Sequence, residues 1–384
     1  MRDAHYTPRM RWASIVFVLL LAVPLTLLGP RGSVVAVKTA LFIPEIFPDA
    51  PVKPLRWLTS ASNVERTTLS YAGGLAHLET YVPAQPGPHG AVILMLGARP
   101  IDQDDPVVTR FADGLSRLGV VVLVPASDGL AAGRIAPAEV DLLVQEFQIL
   151  RNRPDVDPQR VGYIGLSVGA SLSLVAAADA RIAANVAFVN AFGGYFDAQD
   201  LFVALASHSL AYAGESARWE PAPLTREVLL ENLLDSVPID TERDAIRHAV
   251  NFPGQTLETE IASLSPSAQV AVQLLSEPEP SEARRLVNLL AEPGKNQLEA
   301  ISPRYIVHRL QANILVMHDI HDQYIPYTES RHLVAALPDK RLRAWTELEL
   351  FDHVMPGRAT DHLTFVRELA ELSRHVYVTF LEML

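Results

Sequence analysis

From residue 64 onward the chain alternates two hydrophobic patterns. Residues 64–71 (VERTTLSY) and 75–82 (LAHLETYV) have the β-branched, alternating make-up of half-covered strands. Ala72-Gly73-Gly74 between them predicts a hairpin. Residues 91–96 (AVILML), 120–125 (VVVLVP), 160–165 (RVGYIG), 185–190 (NVAFVN) and 312–318 (ANILVMH) are short, nearly continuous apolar runs. Such runs predict strands covered on both faces. Residues 343–350 (RAWTELEL) predict one more strand. The intervening segments 106–118, 137–152, 168–180, 328–336 and 361–383 read as helices. In 137–152, Val140, Leu143, Phe147 and Leu150 share one face, and Pro137 stands near the start, where proline is tolerated.

Buried strands alternating with helices predict an α/β fold with a mostly parallel sheet. The alternation stops between about 194 and 303. Helical runs such as 225–234 and 281–291 are broken there by Pro-bearing loops, and no strand is expected. This segment reads as a helical cap inserted over the sheet's C-terminal edge, dividing the core into 61–193 and 304–384.

The N-terminus has a different pattern. Residues 12–30 (WASIVFVLLLAVPLTLLGP) carry no charge, and Arg2, Arg9 and Arg11 precede them. At about 1.5 Å per residue such a run spans about 28 Å, enough for a bilayer core. Residues 1–31 are therefore expected to be a cytoplasmic N-terminus and membrane anchor, with the rest of the chain outside. A cleaved signal peptide and a buried core helix are the alternatives. Residues 39–57 are Pro-rich and apolar, and 32–60 reads as a stalk lying on the membrane or on the domain.

Composition narrows the function. With 49% hydrophobic and 20% charged residues, the 384-residue chain can bury a large core. It has no cysteine, which excludes a thiol nucleophile and thiolate metal sites. A net charge of −12 without a basic stripe argues against nucleic-acid binding. Residues 197–300 hold 17 Asp/Glu and 7 Lys/Arg. The cap thus carries most of the negative charge and disfavours polyanionic substrates.

Gly165-Leu166-Ser167-Val168-Gly169 follows a buried strand and opens a helix. This is the setting of a nucleophile elbow, a turn so tight that the serine's neighbours must lack a Cβ. A serine hydroxyl needs a base, and the base needs an orienting acid. In this architecture the acid and then the histidine follow the serine along the chain. Asp322 lies just past the 312–318 strand and before Pro326, and is the expected acid; Asp319 is the rival and more naturally caps the turn. His332, His362 and His375 fall on helices, whereas His353 follows the 343–350 strand in a loop and is the expected base. Asp352, its sequence neighbour, reads as solvated. The backbone N–H groups of Val168 and Ala98 are the expected oxyanion donors. Arg99 is a possible carboxylate ligand, with a salt bridge to Asp102, Asp104 or Asp105 as the alternative. No cofactor or metal is implied, since His318-x-x-His321 is too close-set and strand-terminal for a zinc pair.

Together, Val156-Asp157-Pro158-Gln159-Arg160-Val161-Gly162-Tyr163-Ile164-Gly165-Leu166-Ser167-Val168-Gly169 and the segment from His318 to Pro326 resemble the α/β-hydrolase superfamily. Within it, they are most similar to the dienelactone-hydrolase-like and prolyl-oligopeptidase-like branch. The resemblance covers about 64–190 and 303–384. It implies an α/β-hydrolase fold with Ser167 as nucleophile, Asp322 as acid and His353 as base. Three departures stand out: Asp319 replaces the family glycine after His318, Leu96-Gly97 replaces the usual His-Gly, and the cysteine nucleophile of dienelactone hydrolase is absent. The expected activity is hydrolysis of a small-molecule carboxylic ester through an acyl-enzyme. Acyltransferase or peptidase chemistry with the same triad, or an inert binding protein on the same fold, are the alternatives.

Overall fold

A run of six apolar residues has no polar face to turn to water, so it must sit in the middle of a sheet with helices on both sides. The computed structural model describes residues 29–98, 103–251 and 262–384, and it places these runs in that way. In chain order the strands are β1 (Asn63–Tyr71), β2 (Gly74–Val82), β3 (His89–Met95), β4 (Val120–Ser127), β5 (Val156–Leu166), β6 (Phe188–Phe192), β7 (Ser209–Tyr212), β8 (Glu215–Arg218), β9 (Asn313–Asp319), β10 (Leu342–Leu348), β11 (Phe351–Asp352) and β12 (Met355–Pro356). Eight of them form one sheet in the order β1-β2-β4-β3-β5-β6-β9-β10. The β1–β2 and β2–β4 pairs are antiparallel, and the other five are parallel. Every residue of central β3 is buried, whereas edge strand β1 is largely exposed, as its polar alternation requires. β6 starts three residues later than its apolar run, because Asn185 N–H donates to Ile182 O and holds 182–185 in a turn.

The two faces of the sheet carry separate cores. Helices Pro137–Arg151 and Val168–Ala177 cover one face, with Leu142, Phe147 and Ala176 fully buried. Helices Gly29–Ile46, Pro106–Arg117 and His362–Met383 cover the other.

Of the two places expected for the 32–60 segment, the membrane or the domain, the described residues lie on the domain. Residues 39–57 are a packed part of the second core, where Phe42, Ile43 and Leu55 are almost fully buried. Phe42 meets Phe111 edge-on at 5.2 Å and Phe380 at 5.2 Å. Lys53 Nζ donates to the Pro44 and Phe47 carbonyls and closes the C-terminal end of the Gly29–Ile46 helix. The prolines thus mark turns between packed pieces, because the apolar side chains around them have a sheet face to cover. The expected membrane span, 12–30, lies outside the described residues except for Gly29 and Pro30, which begin this helix. Among the described residues no helix is long and apolar enough to cross a membrane.

The chain between β6 and β9 is mainly helical: Ala198–Ser207, Pro223–Leu234, Asp240–Asn251, Pro266–Leu274, Pro280–Asn288 and Glu292–Ala300. The expectation that it holds no strand is corrected by the β7–β8 hairpin. Its turn, Ala213-Gly214, has φ of 54° and 84°, the left-handed pair that joins strands most tightly. The hairpin is mostly exposed, so its residues lack the apolar alternation that announces a strand.

A buried carboxyl outside the site described next makes a prediction. Glu146, on the Pro137–Arg151 helix, is fully buried, and neither carboxyl oxygen has a hydrogen-bond partner among the described residues. Burial pushes its pKa well above the ordinary value, and nearby Glu139 adds to the effect. The folded chain therefore keeps this proton at a pH where the unfolded chain has lost it. The stability present at acid pH drains away as pH rises above the ordinary carboxyl range. Glu146→Leu is expected to stabilise the protein by about 1–3 kcal/mol at pH 7 and by less at pH 4. Urea denaturation at the two pH values checks this, and an equal effect at both would count against it.

Candidate active site

The turn after β5 brings a serine to the C-terminal edge of the sheet. Ser167 has φ 56° and ψ −133°, a conformation that side chains other than glycine rarely adopt and that costs of order 1–3 kcal/mol. Two backbone bonds hold it there: Ser167 N–H donates to Phe192 O at 2.8 Å, and Ala170 N–H donates to Ser167 O at 2.9 Å. The flanking glycines are needed for close approach. A Cβ on Gly165 would lie 2.5 Å from Ala170 Cα, and one on Gly169 would run into the Leu96 and Met95 carbonyls.

The same crowding explains Gly97. A Cβ there would lie 2.8 Å from Ser167 Cβ and 3.0 Å from its Oγ. Gly97 is thus required by the serine beside it and not by a left-handed turn. The loop carrying Ala98 passes next to the Ser167 hydroxyl, and Val168 begins the helix whose first N–H groups have no intrahelical acceptor. Arg99 lies outside the described residues.

Beyond β9, Asp322 is buried and every contact of its carboxylate is accounted for. Oδ1 accepts the N–H groups of Tyr324 at 2.7 Å and Ile325 at 3.0 Å. Oδ2 lies 2.5 Å from His353 Nδ1 and 3.2 Å from His318 Nε2. Burial works against the charged form, but His353 and His318 outweigh it and hold the carboxyl well below the usual range. Asp319 faces elsewhere. Its carboxylate accepts His321 N–H at 3.0 Å and lies 3.5 Å from Arg358, while burial raises its pKa.

His353 sits in the tight turn between β11 and β12 with φ 59°. Its ring stacks on Tyr324, centroids 4.8 Å apart, and packs against Gly193, where a Cβ would come within 3.3 Å of His353 Cε1. Gly193 directly follows Phe192, whose carbonyl takes the Ser167 N–H, so the Ser167 backbone and the imidazole each lie near the end of β6, with no hydrogen bond between Ser167 Oγ and His353 Nε2. Because Nδ1 faces a carboxylate, it carries the ring proton. Nε2 then keeps its lone pair; it is buried and has no hydrogen-bond partner among the described residues. Asp352 is exposed, 3.9 Å from Arg358.

Two neighbours of Asp322 were not expected from the sequence. His318 Nε2 also lies 3.1 Å from Ile325 O. Since both its partners are acceptors, that nitrogen carries a proton and donates. His321 turns away towards Glu349 at 4.0 Å, so the two histidines do not converge. Trp219, just after β8, donates its indole N–H to Asp322 O at 2.8 Å, and Ala222 N–H donates to Gln323 O at 2.7 Å. The inserted segment thereby clamps the loop that carries the acid. Nothing in the sequence near Trp219 marks it for this contact; the distance along the chain is 103 residues.

No family model and no curated protein matches the chain. Solved structures do. A 2,6-dihydroxy-pseudo-oxynicotine hydrolase is 16% identical, with 98% of this chain and 90% of that one covered and a TM-score of 0.47. An acylaminoacyl peptidase of Pyrococcus horikoshii is 10% identical over 81% of this chain and 40% of that one, at 0.46. An esterase of the archaeon Pyrobaculum calidifontis is 14% identical over 97% and 98%, at 0.44. The chain spans less than half of the peptidase. At such identities and scores, what the chain does has to be argued from its own residues.

Proposed function

We propose that the protein is a serine hydrolase that cleaves a carboxylic ester through an acyl-enzyme. The observation that carries this reading is the buried Asp322–His353 pair at 2.5 Å beside a strained serine on a strand-to-helix turn. In this reading Ser167 Oγ attacks the carbonyl carbon while His353 Nε2 takes its proton. Asp322 holds the Nδ1–H and stabilises the imidazolium. The Val168 and Ala98 N–H groups receive the oxyanion, whose charge then expels the alkoxide. His353 returns the proton to the departing alcohol. A water, deprotonated by His353, attacks the acyl carbon and frees the acid and Ser167.

A fluorophosphonate probe tests this directly. It is expected to form one stable adduct, on the peptide containing Ser167, with loss of ester hydrolysis in proportion to labelling. Adduct formation at another residue would move the nucleophile. Failure to label at all would favour an inert protein on this scaffold. Product analysis with added amine or alcohol acceptors separates hydrolysis from acyl transfer.

A further inference from the structure

We infer that the substrate's acyl group is a linear aliphatic chain, held in an apolar cavity beneath the sheet edge and measured by the N-terminal helix; this rests on the ester-hydrolase reading above. The cavity lies on the sheet face covered by the Gly29–Ile46, Pro106–Arg117 and His362–Met383 helices. Its volume is about 100 Å³, several times the about 10–15 Å³ that a single water needs by the same measure.

Its position ties it to the chemistry. Among the lining residues are Leu96, Leu166, Phe192 and Val354. Leu96 precedes the Gly97-Ala98 turn, and Leu166 precedes Ser167. Phe192 accepts the Ser167 N–H, and Val354 follows His353. Each catalytic element except the acid thus has a chain neighbour in the cavity wall. The N-terminal helix supplies Phe42 and Ile46 to the same wall.

Its chemistry selects an alkyl occupant. The described wall contains no charged carboxylate, lysine or arginine, and its polar side chains are bonded to one another or to the core. His375 Nε2 lies 3.1 Å from Asn190 Oδ1, and its Nδ1 lies 3.0 Å from Thr346 Oγ1. Asn190 Nδ2 donates to Thr379 Oγ1 at 3.3 Å. A polar ligand entering there would lose its water and find these groups already engaged, whereas methylenes gain from leaving water.

The test is a p-nitrophenyl ester series from acetate to palmitate with the full chain. Each methylene buried contributes about 0.8 kcal/mol, about fourfold. The kcat/KM is therefore expected to climb by up to about fourfold per methylene and then fall once the chain meets Phe42 and Ile46. Phe42→Leu should move the optimum to longer chains. Phe111→Trp, at a partly exposed wall position that tolerates bulk, should move it to shorter ones. A flat profile from acetate to palmitate that neither variant shifts would overturn the inference while leaving the hydrolase reading intact. Calorimetry with dodecanoate on Ser167→Ala separates the two ideas. Binding of dodecanoate but not acetate supports the cavity even if the wild type hydrolyses no ester. No binding of dodecanoate, with the protein folded by circular dichroism, would overturn it.

Discussion

Ser167→Ala is expected to lower kcat for ester hydrolysis by about 10³–10⁶ while leaving the fold unchanged. The size follows from what the hydroxyl does. Without it no acyl-enzyme forms, and only the oxyanion donors and the pocket remain to assist attack by water. The fold should survive because the position is held by backbone bonds: Ser167 N–H to Phe192 O and Ala170 N–H to Ser167 O. Alanine keeps both and removes only Oγ. The variant should unfold at a urea concentration close to the wild type's. Near-normal turnover on a p-nitrophenyl ester would show that another group is the nucleophile.

The second large effect is at Asp322. In Asp322→Asn the carbonyl oxygen must take the Oδ1 place, because Tyr324 and Ile325 both donate there. The amide NH₂ is then forced into the Oδ2 place, opposite His353 Nδ1 and the protonated His318 Nε2. An NH₂ facing His353 Nδ1 demands a lone pair on that nitrogen. The ring proton therefore moves to Nε2, where the base needs to be free. A loss of about 10⁴ in kcat is expected, the scale of a wrong-tautomer triad. Asp319→Asn should cost far less, since Asp319 supports a turn and Arg358 and does not face His353. Steady-state kinetics of the two variants, each with a matched thermal melt, decide the matter. A greater loss at Asp319 would transfer the role to it.

Much of this candidate site is legible in the sequence. The buried strands announce themselves because a sheet covered on both faces accepts only apolar side chains, and that rule acts within a few residues of sequence. The elbow is equally local: Gly165 and Gly169 are glycines because backbone lies where their Cβ atoms would be. His353 stood out because it follows a strand in a loop, and Asp322 because it closes one before a proline.

Other features depended on residues far apart in the chain. The Pro-rich 39–57 segment looks the same whether it spans a gap or covers a sheet face; residues distant in sequence, such as Phe111, Phe365 and Phe380, make it core. His318 looked like the end of a strand, and it meets the acid only because the loop after β9 folds back over it. Trp219 reaches Asp322 across the inserted segment, and the hairpin before it is too exposed to show strand periodicity. Period and glycine placement, set by neighbours in sequence, determined the sheet, the elbow and the order of the candidate groups. The tertiary structure alone decided which carboxylate faces the imidazole, what clamps it, and which helix walls the cavity, because those contacts join residues whose spacing no local pattern constrains.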